Sequence, residues 1–196
     1  MVAMRRSHQA AILAAALDIS ATEAFRHAFR QLASTVAVMT LSGRDGLPRG
    51  MTVTSMCGLS VEPPTLLVCV DRATRTHRDL IATDRFGIDI LAEEQHAIAA
   101  RFARSGTDKV VPADWLIDPT PHELPHLSGS VVRLGCTIDA VHPASTHDIV
   151  VGRIRTIEVD PQPGAPLLYH DGAFGRLGGD RIPLERADLT IAPNDD

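Results

Sequence analysis

At 196 residues the chain is most simply one domain, long enough to bury its own apolar core without disulfide or metal staples. Nineteen Lys and Arg against 24 Asp and Glu give a formal charge of −5, which excludes the basic face a nucleic-acid binder needs; 44% hydrophobic and 22% charged residues exclude a disordered or fibrous chain. Cys57, Cys69 and Cys136 are scattered, odd in number and without a CxxC pair, so a reducing, cytoplasmic setting is expected.

Residues 1–17 place Arg5 and Arg6 ahead of a short, mostly alanine run. That run is too short for a membrane span, and the segment is expected to be a mobile or loosely docked helix, not a signal peptide. Residues 1–21 thus read as an N-terminal extension. Thr22 as N-cap, with Phe25, Phe29, Leu32 and Val36 at helical spacing, predicts an amphipathic helix over 22–33 whose stripe must cover something. Val36, Val38 and Thr40 then alternate with Ala37 and Met39 as a strand, and Gly43-Arg44-Asp45-Gly46 turns the chain into one extended segment over 49–60, an antiparallel hairpin. Pro63-Pro64 precedes the apolar run 65–70, which fits a strand buried on both faces. Thr76 is expected to cap a short helix ending at Thr83; 86–91 reads as a strand and 93–104, with Ile98 and Phe102 four apart, as another amphipathic helix.

Residues 105–128, rich in Gly, Pro, Asp and His around the single Trp115, read as a long loop, and loops of that length tend to be functional. Two long strands over 131–141 and 149–159 are joined by a loop at 142–148, a last pair follows over 167–169 and 173–177, and 179–196 is a C-terminal tail. Six or seven strands with short links and few helices predict a mainly β fold, an antiparallel barrel closed or nearly so. With no GxGxxG and no GxxxxGK, neither a Rossmann site nor a P-loop is supported.

No GxSxG or HExxH is present, and His122 and His126 sit among prolines that rule out a metal-binding helix face, so no metal is expected. Two clusters stand out. Gly50-Met51-Thr52-Val53-Thr54-Ser55 either offers hydroxyls and extended backbone groups to a planar heterocycle or merely decorates a solvent face. Arg72-Ala73-Thr74-Arg75-Thr76-His77 either holds an anion at a helix N-terminus or is a solvated, capped helix start.

These two clusters, together with Leu59-Ser60-Val61-Glu62-Pro63-Pro64, Val68-Cys69-Val70-Asp71, Ala100-Arg101-Phe102-Ala103, Lys109, Leu127-Ser128-Gly129-Ser130, Cys136, the stretch 147–152 and Pro166-Leu167-Leu168-Tyr169-His170, resemble the flavin reductase-like family. The family comprises the small reductase components of two-component flavin-dependent monooxygenases, and the resemblance spans residues 22–178. It implies a flavin-binding split β-barrel of Greek-key type, a homodimer, in which NADH or NADPH reduces FMN or FAD for a separate oxygenase. Carried over by position, it implies that Pro48, Arg49, Gly50, Met51, Thr52, Thr54 and Ser55 line the flavin ring and that Cys69, Val70 and Asp71 flank it. Arg75 and Thr76 would hold its phosphate or ribityl chain, assisted by Arg101 and Phe102, and Tyr169, with Phe174 and Arg176, would close over the cofactors. His147 would face the nicotinamide, although Ser145-Thr146 stands where relatives carry Gly-Asp. Lys109 is given no fixed role. Rival readings are a split-barrel flavoprotein that reduces a metal complex and a non-catalytic flavin-binding module.

Overall fold

The computed structural model describes residues 20–104, 106–117 and 124–178. The expected helix of residues 1–17, His122 and the tail from 179 lie outside them.

Helix α1 (Ala21–Arg30) starts at Ser20, not at Thr22. The Ser20 hydroxyl accepts from the Glu23 N–H (3.2 Å) while the Glu23 carboxylate accepts from the Ser20 N–H (3.0 Å). This reciprocal box satisfies two orphan donors, and Thr22, with Phe25 three residues on, has no acid to complete one. The helix also stops short of residue 33, and among the described residues its apolar stripe stays open: Phe25 and Phe29 stack at 4.2 Å yet are 59% and 56% exposed.

The strands are β1 (Ser34–Thr35), β2 (Ala37–Ser42), β3 (Pro48–Val53), β4 (Met56–Val61), β5 (Pro64–Asp71), β6 (Arg85–Ile90), β7 (Val132–Ala144), β8 (His147–Val159), β9 (Leu168–His170) and β10 (Ala173–Gly175). Helix α2 (Arg75–Thr83) joins β5 to β6, and α3 (His96–Ala103) follows β6 after a single 3-10 turn. Seven strands form one antiparallel sheet in the order β3-β2-β6-β7-β8-β5-β4; β1, β9 and β10 form a small second sheet. The long step from β5 through α2 to β6 passes β8 and β7, which supplies the Greek-key connection.

The expected extended segment 49–60 is two strands, β3 and β4, lying at opposite ends of this order with only Thr54 and Ser55 between them. Two edges tethered so closely force the sheet to roll back on itself, and the split of the barrel runs between them. The interior is filled by Met39, Leu41, Val68, Val70, Phe86, Ile88, Cys136 and Val150, with Leu80 of α2 in the same cluster. Burial pushes the Cys136 thiol up to about 12, so it is inert packing. Phe86 lies against Gly152, where a Cβ would come within 2.5 Å of the ring; the bare backbone of β8 makes room for the largest core side chain.

The strands buried on both faces are β2 and β6, not the apolar run in β5. Val36 and Val38 pack outward under Leu91, Ala99, Phe102, Leu127 and Leu167. On β5, by contrast, Leu67 and Cys69 are only half-buried, lining an open groove beside α1. The outer face over β2 and β6 also encloses a polar group: the Asp89 carboxylate accepts from the Thr40 hydroxyl (3.1 Å) and pairs with His126 Nδ1 (2.8 Å). Burial pushes this carboxyl above its ordinary range, against the pull of His126.

The loop expected over 142–148 is a two-residue turn, Ser145-Thr146, and the ladder runs on to the pair Ala144–His147. Pro143 is tolerated within β7 because this end of the strand lies beyond its last pairing with β6 at Thr137, so the missing N–H costs little.

Candidate active site

The split between β3 and β4 opens on a cleft of about 620 Å³, within the range of small-molecule sites. It is lined by the end of β3 and its link to β4, by the end of β5 and the start of α2, by the C-terminal end of α3 with the loop after it, and by the β7–β8 hairpin. Of the residues singled out in the sequence, the fold gathers Met51, Thr52, Thr54, Ser55, Cys69, Asp71, Arg75, Thr76, Phe102 and His147 on this cleft. It leaves Pro48, Arg49, Gly50, Val70, Arg101 and Tyr169 off its walls.

Each exclusion has a cause. Val70 points into the barrel core. Arg49 is buried between Asp45 (2.5 Å) and Asp79 (3.0 Å). The Gly50 backbone lies beneath Phe102, three ring atoms of which stand 3.1 Å from where a Cβ would be, so it acts through that ring. Pro48 accepts through its carbonyl from the Val111 N–H (2.8 Å). Arg101 lies over Trp115, 5.5 Å from the ring centre, and its guanidinium donates to the Val110 carbonyl (3.4 Å). Tyr169 sits edge-on to Phe174 and lines a separate groove beside α1.

The donors and acceptors that remain are mostly main chain. The Gly50 N–H donates to the Lys109 carbonyl (2.9 Å), so residues 48 and 50 turn their backbone groups away from β2. The two-residue period carries that orientation to Thr52, where the neighbouring segment has departed and the strand edge is open. The hydroxyls expected to serve a ligand are partly spent: Thr52 donates to the Ala99 carbonyl (2.8 Å) and Ser55 to the Cys69 carbonyl (3.3 Å).

At the start of α2, Asp71 accepts from the Ala73 N–H (2.9 Å), and Thr74 is the N-cap, its hydroxyl accepting from the His77 N–H (3.1 Å). Thr76, the cap expected from sequence, is buried inside the first turn; a cap needs the extended backbone that Thr74 has (φ −78°, ψ 152°). No acidic residue stands in that first turn, and the cap leaves the N–H groups of Arg75 and Thr76 unused, a setting that favours an anion.

The β7–β8 hairpin is tied to this helix. Asp148, buried beside the turn, bonds His77 Nε2 (2.7 Å), and Arg72 donates to the Ser145 carbonyl. Between these ties, His147 is held on the cleft with Nδ1 2.9 Å from the Thr146 hydroxyl. Neither tie was visible in the sequence, although an acid beside the apolar run of β8 was a signal. Arg104, Gly106 and Thr107 were likewise missed as cleft residues. Lys109 proves structural: its ammonium caps α3 by donating to the carbonyls of Phe102 (2.6 Å) and Arg104 (2.5 Å), and burial lowers its pKa.

A rolled antiparallel sheet with an open strand edge, an aromatic ring and a cation-bearing helix start on one cleft defines a nucleotide-binding split barrel. The chain belongs to the family of the flavin reductase like domain, which matches residues 29–178. It is 31% identical over 152 residues to the actinorhodin polyketide dimerase of Streptomyces coelicolor, covering 78% of this chain and 84% of that protein. It is 32% identical over 153 residues to the flavin-dependent monooxygenase reductase subunit HsaB of Mycobacterium tuberculosis, covering 76% and 79% respectively. Among solved structures, the NADH:FAD oxidoreductase SgcE6 of Streptomyces globisporus, in complex with NAD and FAD fragments, superposes with a TM-score of 0.72 at 29% identity, over 81% of this chain and 94% of that one.

The residues present fit a flavin. The open edge at Thr52 offers the paired donor and acceptor that a planar heterocycle needs, Phe102 offers an apolar face, and Arg75 with the α2 N-terminus offers an anion site.

Proposed function

We propose that this chain is the reductase half of a two-component oxygenase system: it reduces FMN or FAD with NADH or NADPH and supplies the reduced flavin to a separate monooxygenase. The observation that carries this reading is the convergence on one cleft of an open strand edge, a cationic helix start and, from the opposite hairpin, His147. Bound flavin supplies the two-electron acceptor for a hydride, so the protein needs no nucleophile and no general base. The Thr52 main chain would bind the edge of the ring, Phe102 would pack on its face, and Arg75 with the N–H groups at the start of α2 would hold the phosphate. His147 orients the nicotinamide, and Cys69 contributes contact, not redox chemistry.

The reductase domain is taken as residues 22–178. Among the described residues no helix is long and apolar enough to cross a membrane, and with three free cysteines a cytoplasmic enzyme is the reading adopted. A homodimer is proposed because α1, the residues just after it and β4 leave Phe25, Phe29, Leu32, Leu59 and Val61 exposed, the last by 92%.

Purified protein is expected to oxidise NADH or NADPH only when FMN or FAD is added, followed by loss of nicotinamide absorbance. No stimulation with any of the four pairings overturns the reading. Turnover of a ferric complex with flavin that never leaves the protein would favour the metal-complex alternative, and tight flavin binding without nicotinamide oxidation the non-catalytic one.

A further inference from the structure

We propose that Asp45, in the β2–β3 turn, is a built-in competitor for the phosphate end of the flavin and keeps the flavin exchangeable. This rests on the flavin reading above and adds the residue that limits affinity.

The turn holds the carboxylate in place. The Leu47 N–H donates to Asp45 Oδ1 (3.2 Å), which leaves Oδ2 to face two guanidiniums: Arg49 at 2.5 Å and Arg75 at 3.0 Å. Asp79, one helical turn beyond Arg75, brings Oδ2 to 3.0 Å from Arg49 and 3.7 Å from Arg75. Gly43 makes the arrangement possible, since a Cβ there would stand 2.6 Å from Arg49 Nε and 2.8 Å from Asp45 Oδ1. Arg49 is sealed in, with its side chain 3% exposed, and serves as the fixed cation of the cluster. Arg75, 58% exposed on the cleft, is the member able to turn to a ligand.

Two guanidiniums and two carboxylates sum to zero charge. A phosphate monoester at neutral pH carries close to two negative charges, so it can take Arg75 only by displacing Asp45 or by lying beside it. Both options work against binding. A surface ion pair with no functional part would stand apart from the ligand, whereas this pair ends on the arginine placed to receive it. Weak retention suits a protein whose product is a flavin that must depart.

The test is a titration of FMN and of riboflavin, which lacks the phosphate, into wild type, Asp45→Asn, Arg75→Ala and the double variant, read by flavin fluorescence. Asp45→Asn is expected to tighten FMN about tenfold, equivalent to about 1.4 kcal/mol, and to leave riboflavin unchanged. The gain should vanish in the Arg75→Ala background. After gel filtration the Asp45→Asn protein should keep FMN that wild type loses. If Asp45→Asn folds poorly, Asp45→Ser, whose hydroxyl still accepts from the Leu47 N–H, is read in the same way. A folded neutral variant with unchanged or weaker FMN affinity, or one whose riboflavin affinity rises equally, overturns the proposal. Wild type that binds neither FMN nor FAD and oxidises neither nicotinamide with them overturns the reductase reading instead, while an active wild type with an indifferent Asp45→Asn overturns this inference alone.

Discussion

His147 stands on the cleft at the end of a hairpin whose tip is pinned to α2 by the Asp148–His77 pair. Hydride transfer between two rings needs alignment and no proton acceptor, so its loss should touch the second substrate and not the first. His147→Ala is expected to raise the NADH KM roughly fivefold, about 1 kcal/mol, with FMN affinity unaltered. Steady-state kinetics beside a fluorescence titration separate the two; an unchanged KM would make His147 a turn residue only. Gly152 poses the opposite problem, a residue whose importance is the absence of a side chain. Gly152→Ala drives a methyl against Phe86 and should cost about 1–3 kcal/mol, at roughly 2–4 °C of Tm per kcal/mol in a chain of this size, read by thermal melting.

Among the elements, residues 124–128, which lead back past Trp115, are held by several polar contacts. Ile117 donates to the His126 carbonyl (2.9 Å), Ser128 donates to the Trp115 carbonyl (2.8 Å), and Trp115 meets Phe102 edge-on at 6.2 Å. Through that ring the loop supports a wall of the cleft, and one of its anchors is the bond from His126 to the fully buried Asp89. His126→Ala takes a hydrogen-bond partner from the buried Asp89 carboxyl, and leaving a buried polar group short of its partner typically costs about 1–3 kcal/mol. With the His126 side chain 19% exposed, the lower end is expected. The measurement is chemical denaturation, and Asp89→Asn in the same background should recover part of the loss. Recovery absent, the Asp89 charge is not what the histidine serves.

At the scale of the whole molecule, exposed apolar residues stand on and just after the amphipathic helix (Phe25, Phe29, Leu32) and on the edge strand β4 (Leu59, Val61), with others on α2 (Ile81) and the far end of β8 (Ile157, Val159). An unpaired edge beside an apolar face is a site for a second chain. Light scattering is expected to give twice the chain mass of 21.1 kDa. Phe25→Asp with Phe29→Asp should lower that mass while leaving the melting of the barrel core cooperative; a wild-type monomer at micromolar concentration contradicts the dimer.

The sequence by itself determined which segments become strands and helices, because alternation and helical spacing are local and survive in any context. It also determined the family, through the order of its motifs. Where it misplaced an element, tertiary context had decided: Thr54 and Ser55 became a corner because a rolling sheet needs both its edges there, and β5 is half-open on one face because the helix and loops that pack over β2 do not reach it. At the site, Thr52 and Ser55 looked like ligand hydroxyls, yet both donate to carbonyls that α3 and β5 bring within reach. Arg49 and Arg75 look alike along the chain; packing against Asp79 buries the first and leaves the second on the cleft. Pairings such as Asp148–His77 and Asp89–His126 join residues 71 and 37 positions apart. No local pattern encodes them, since a charge finds its partner only after the sheet has closed, when burial makes an unpaired group too costly to leave.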